Sequence, residues 1–195
     1  MPNWCNNSVE ISHEDINKME ALVAAVNESK FCGHVIPTPK ELTETVAGHC
    51  GDGYAQELNQ FKIQLNEKYF GAQDWYSFQT SRWGTKWDVD PYNPVELDGN
   101  SISFGFDSAW SPPTGVYEAL VEQGFKVKAF YWESGMCFAG RWEDGDDDFY
   151  EISNMSSKEV AETIDPELDE VMGISECIAN YEEDNQEEEQ ENDTK

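Results

Sequence analysis

Apolar residues recur along this chain with two periods, and the change of period marks the elements. In 5–12 (CNNSVEIS), Val9 and Ile11 stand two apart, which predicts a strand with one buried face. In 13–29 the apolar residues Ile16, Met19, Leu22, Val23 and Val26 fall at helical spacing behind an acidic start, which predicts a helix. Pro37 and Pro39 break 30–42, so an extended segment leading into a turn is expected there. Residues 47–54 (AGHCGDGY) read as loop. In 54–71, Leu58, Phe61, Leu65 and Phe70 suit a helix that Gly71 stops. A second helical segment is expected in 74–88, where Gly84 and a high aromatic density work against it.

The period returns to two in 101–110, where Ile102, Phe104 and Phe106 alternate as in a strand. The next helix opens at Pro112 and Pro113, where a missing N–H costs nothing, and closes at Gly124. Segments 126–134 and 136–145 read as two strands joined by a hairpin, and 148–153 extends the sheet. Residues 156–181 form helix, broken by Pro166 and Gly173 into two short pieces. From Glu182 onward no apolar residue remains to offset ordering entropy, so 182–195 is expected to be disordered. The order strand, helix, insertion, strand, helix, strand, strand is an α+β pattern. Its expected solution is a ferredoxin-like split βαβ sheet with helices on one face. The expected organisation is a body over 1–152 with an insertion at about 31–92, an acidic helical extension over 153–181, and the tail.

Charge narrows the partner. The formal net charge is −28, and residues 143–195 hold 21 acids against 2 bases. Without a basic stripe the chain would be repelled by a phosphate backbone, so direct nucleic-acid binding is not expected. Its electrostatic complement is a basic protein, including one whose own groove binds nucleic acid. A helix rises ~1.5 Å per residue and duplex DNA carries one charge per ~1.7 Å, so an acidic helix can imitate DNA charge. The acids expected to face a basic partner are Asp144, Asp146, Asp147 and Asp148, then Glu159, Glu162, Asp165, Glu167, Asp169 and Glu170. The five cysteines are odd in number and widely spaced. No signal-like start and no run of ~20 apolar residues is present, so a cytoplasmic protein without a membrane span is expected.

Four tryptophan-rich motifs follow in order: MPNWCNN at 1–7, WGTKWD at 83–88, FDSAWSPP at 106–113 and YWESGMCFAG at 131–140. Together they resemble the YubB-like proteins of bacterial plasmids and phages. The resemblance implies a ferredoxin-like fold and a mobile-element setting in a bacterial cytoplasm. That family has no known function, so it carries no catalytic residue onto this chain. With the charge, it points to an accessory protein that binds a basic host protein and inhibits a defence or nucleic-acid-processing factor.

Chemistry-bearing clusters are few. RWGTKWD reads first as a cross-brace, with Trp83 and Trp87 on one helical face at i, i+4 and Lys86 paired with Asp88. Asp107, Ser108 or Ser111 is the expected indole partner. The competing reading is a ligand pocket that stacks a base or nucleotide, built from Trp83, Thr85, Lys86, Trp87, Asp88, Trp110 and Ser111. Cys32, His34, His49 and Cys50 have the number for tetrahedral zinc but not the spacing. No phosphate-loop, nucleophile-elbow or H-E-x-x-H pattern occurs, so neither an enzyme nor a cofactor is expected.

Overall fold

The computed structural model describes residues 2–193, with side chains for residues 2–185. Five strands form one sheet: β1 (Trp4–Ser12), β2 (Ser101–Ala109), β3 (Lys126–Glu133), β4 (Phe138–Glu143) and β5 (Asp146–Glu151), in the order β2-β1-β3-β4-β5. Every pairing is antiparallel. The class is α+β, as the change of period predicts.

Alternation along the strands sorts the side chains onto two faces. On one face Cys5, Val9 and Ile11 of β1 join Ile102, Phe104 and Phe106 of β2 and Val127, Ala129 and Tyr131 of β3. Three helices cover it: α1 (Ile16–Asn27), α2 (Phe31–Val35) and α6 (Thr114–Glu122), which contribute Met19, Leu22, Val26, Phe31, Val116 and Leu120. The α1 helix starts where the Asp15 carboxylate accepts the Asn17 N–H at 2.9 Å.

The other face is not left to solvent, contrary to the expectation of helices on one side. Phe130 and Ala139, which point that way, are buried under α7 (Ser157–Thr163), α8 (Pro166–Met172) and α9 (Ile174–Asp193). Val160, Ile164, Leu168 and Ile174 form this second core. The segment 156–181 thus holds three helical pieces where two were expected. Asp165 caps the new start at Pro166, and Gly173, in the left-handed region at φ 66°, ends α8. Glu182, placed in the tail expected to be disordered, instead belongs to α9. Its carboxylate accepts the Ser157 N–H at 3.0 Å and the Ser157 hydroxyl at 2.7 Å. Residues 194 and 195 of that expected tail lie outside the described residues.

The region 31–92 also departs from expectation. In place of an extended 30–42, α2 forms because the Asp88 carboxylate accepts the N–H groups of Cys32 and Gly33 at 2.8 and 2.9 Å. After Pro39 a single turn, α3 (Lys40–Thr43), follows. Then come α4 (Tyr54–Phe70) and α5 (Trp75–Arg82). The α5 helix stops at Arg82, so only part of 74–88 is helical. Gly84 adopts φ 88°, where a Cβ would lie 2.9 Å from the Pro112 carbonyl oxygen, so only glycine fits.

Candidate functional site

The turn at Gly84 decides which tryptophan goes inside. Trp83, at the end of α5, is 3% exposed, and its indole N–H donates to the Ile36 carbonyl at 2.9 Å. The partner is therefore a backbone oxygen of the insertion, not Asp107, Ser108 or Ser111. The Thr85 hydroxyl accepts the Ala109 N–H at 3.0 Å and donates to the Ala109 carbonyl at 3.1 Å. The Ser111 hydroxyl donates to the Gly84 carbonyl. Asp88 does not pair with Lys86 but caps α2. Burial raises its pKa, and the hydrogen bonds from Gly33, Cys32 and Val89 oppose that rise. Trp83, Thr85, Asp88 and Ser111 are thus the cross-brace. They pin the insertion to the end of β2.

Held by that brace, Lys86 and Trp87 leave the helical path and emerge at the surface, so Trp83 and Trp87 share no face. The Lys86 ammonium lies 4.4 Å from the Trp87 ring centre, 5.2 Å from that of Trp110 and 5.5 Å from that of Tyr76. Trp110 sits in the left-handed region at φ 71°, rare for an aromatic residue, and its N–H donates to the Asn3 carbonyl at 2.9 Å. The strained backbone presents the indole to solvent, 41% exposed. On the far side of Trp87 stands Trp4, with ring centres 6.2 Å apart and planes at 39°. Trp4 is 49% exposed and Tyr92 54%.

Between Trp4, Trp87 and Tyr92 opens a cleft of about 310 Å³, with Asp90, Pro91 and Asp107 also on its walls. Trp4 and Asp107 occupy the alternate strand positions that Phe130 also occupies. The cleft thus shares a sheet face with the acidic helices α7 to α9, at the β1–β2 end. Segment 90–92 crosses there: the Tyr92 N–H donates to the Gly105 carbonyl at 2.9 Å, and Gly105 has no Cβ to strike the Tyr92 ring. Asp107 Oδ1 accepts from Asn6 Nδ2 at 2.6 Å and from the Tyr92 hydroxyl at 2.7 Å, while Oδ2 has no protein donor among the described residues. Burial, then the bond to Asp107, push the Tyr92 pKa up to about 12. Flat aromatic walls and a free oxygen of Asp107 are groups that can meet a cation. Of the residues expected in a pocket, Trp87 and Asp88 line the cleft, and Lys86 and Trp110 stand beside it on the neighbouring rings. Sequence reading missed Trp4, Tyr76, Asp90, Tyr92 and Asp107, although Trp4 and Asp107 stand in two of the tryptophan-rich motifs.

The acids expected to meet a partner fall into two groups. Several have internal work: Asp144 accepts from the Val127 N–H at 2.9 Å and Asp147 from the Tyr131 hydroxyl at 2.6 Å. Glu159 and Asp165 cap α7 and α8, Glu167 pairs with Lys128 at 2.5 Å, and Asp169 holds Ser175. Glu162 stands 3.8 Å from Lys158. Asp146, Asp148 and Glu170 have no side-chain partner among the described residues. Asp146, Asp147 and Asp148 lie on the edge strand β5, where charge also blocks pairing with another chain.

The zinc candidates do not converge. Cys32 is buried in α2 with its thiol pKa raised by desolvation, while Cys50 faces the Ala55 carbonyl at 3.6 Å and His34 and His49 are exposed. No group of three metal-ligating side chains occurs among the described residues. No helix among them is long and apolar enough to cross a membrane.

No family model matches this chain, and no curated protein does. Among solved structures, the chain is similar to the crystal structure of protein api92 from Yersinia pseudotuberculosis, of family DUF1281. The identity is 12%, the match covers 77% of this chain and 98% of that one, and the TM-score is 0.41. A likeness at that level carries no argument.

Proposed function

We propose that this is a non-enzymatic cytoplasmic binding protein whose partner is a basic protein, gripped through an arginine side chain in the cleft between Trp4 and Trp87. The observation that carries the reading is the pairing of two exposed indoles with the free oxygen of Asp107 in a chain of net charge −28. A guanidinium is planar, stacks on indole and donates a charge-assisted N–H bond to a carboxylate oxygen. The overall negative field draws a basic surface toward the cleft. The Lys86 ammonium, 4.4 Å from the Trp87 ring centre beside the cleft, supports a cation against that indole. Occupying the basic groove of a defence or nucleic-acid-processing factor is the setting that the YubB-like resemblance suggests. The alternative, a nucleotide stacked in the same cleft, is disfavoured because Asp88, Asp90 and Asp107 oppose a phosphate.

The test is fluorescence anisotropy of a labelled arginine-rich peptide and a lysine-rich peptide of equal length, at fixed salt. The arginine peptide is expected to bind more tightly. Trp87→Ala or Asp107→Asn is expected to weaken it by about tenfold or more, the scale of one lost charge-assisted bond of ~1.5–3 kcal/mol. Equal binding of both peptides, unchanged in both variants, would remove the cleft from the function.

A further inference from the structure

The α4 helix wears its apolar residues on the outside. Tyr54, Leu58, Phe61, Leu65 and Tyr69 are spaced four, three, four and four, and so share one face. Their exposures are 78%, 43%, 57%, 38% and 69%. The residues α4 turns inward are polar instead. Asn59 exchanges two hydrogen bonds with Val46, at 3.2 and 3.1 Å, and Asn66 donates to Thr45 Oγ1 and to the Gln73 carbonyl, both at 2.9 Å. A 17-residue helix so lightly held is marginal by itself in water, and its apolar face is only partly covered in a lone chain.

Spacing and charge say what covers this face. Tyr54, Leu58, Phe61 and Leu65 fall on alternating d and a positions of a heptad, the seam of a two-stranded coiled coil. In that register Glu57 takes position g and Lys62 the following e, five residues on. This is the offset at which a parallel pair of helices forms ion pairs across the seam. Lys62 is only weakly engaged in its own chain, donating to the Glu44 carbonyl at 3.4 Å. In an antiparallel pair like flanks would meet, Lys62 near Lys62. Within α4 two acids, Glu57 and Glu67, balance two lysines, Lys62 and Lys68, in a chain of net charge −28. The helix itself is therefore neutral, so two copies meet there with less repulsion than elsewhere on the chain. Beside the seam, Leu65, Tyr69 and Phe70 line a cleft of about 380 Å³ whose rim carries Glu41, Glu44 and Lys62.

We infer that α4 is a homodimer interface. Two copies pair in parallel about a twofold axis along the helix, with Phe61 and Leu65 in the seam and Glu57 of each copy paired with Lys62 of the other. This inference is independent of the cation cleft.

Sedimentation equilibrium of the full chain across the micromolar range tests it. The chain is expected to sediment as a dimer. Phe61→Glu, with unchanged far-ultraviolet circular dichroism, is expected to raise the dissociation constant about a hundredfold or more, since two rings leave the seam. Glu57→Lys and Lys62→Glu should each weaken the dimer, and the double exchange should restore it. A monomer at every concentration, a dimer indifferent to Phe61→Glu, or a double exchange that fails to restore pairing would overturn the inference.

Discussion

Trp83 and Trp87 stand four apart in the sequence and do unrelated things. Helical spacing puts them on one face, but α5 ends at Arg82 and Gly84 turns the chain at φ 88°, so one indole enters the core and the other leaves it. Trp83→Ala is expected to destabilise the fold by about 3–5 kcal/mol, the cost of deleting a large buried aromatic. Trp87→Ala is expected to cost less, about 1–2 kcal/mol, since only its ring contacts with Trp4 and Lys86 are lost. Urea unfolding of the two variants checks both values. The brace was legible only in part: Trp83 belongs to it, but Trp87 and the expected Lys86–Asp88 pair do not. The partner of the Trp83 indole was not legible, because a backbone carbonyl such as that of Ile36 has no signature in sequence. Tyr92 offers a second check. Its pKa is raised, so the neutral phenol is favoured in the folded state, and the stability this brings is complete below the ordinary tyrosine pKa. That stability is lost as pH rises through the window from 10 toward about 12. The ultraviolet difference titration between the protein and its Tyr92→Phe variant should show a phenol ionising near the top of that window. Asp107→Asn should move that ionisation down.

The α4 helix shows what periodicity can and cannot say. Leu58, Phe61 and Leu65 predict the helix correctly, and its span follows from Gly71, which closes it in the left-handed region at φ 68°. The same pattern points the wrong face inward. What orients the helix is a set of side-chain bonds to Val46, Thr45 and Gln73, and polar contacts of that kind have no period. The α2 helix taught the same lesson, since its first turn exists by virtue of a carboxylate 56 residues away in Asp88. Asn59→Leu is isosteric enough to pack but would leave the Val46 N–H and carbonyl without partners. It is expected to cost about 1–3 kcal/mol, measured as a lowered denaturation midpoint. Exchange of the α4 amides should speed up before that of β1.

At the scale of the molecule, the acidity and the architecture cannot be separated. The expected organisation sets an acidic extension and tail apart from the body. In the structure, β5 completes the sheet and α7 to α9 bury Phe130 and Ala139, so removing 143–195 strips a core rather than a decoration. A chain ending at residue 142 is expected to lose cooperative unfolding, and its loss of binding would say nothing about charge. The charge must be tested where it does no internal work. Asp146→Asn, Asp148→Asn and Glu170→Gln remove three acids that have no side-chain partner among the described residues, and so should leave the melting temperature nearly unchanged. If the acidic layer steers a basic partner toward the cleft on the same sheet face, the triple variant should associate more slowly with the arginine-rich peptide. The log of its association rate should fall less steeply with salt, while its dissociation rate stays the same, because rim charges act on encounter. If both rates are unchanged and only Trp87→Ala or Asp107→Asn weakens binding, those acids serve the edge strand and the surface. Recognition then lies in the cleft alone.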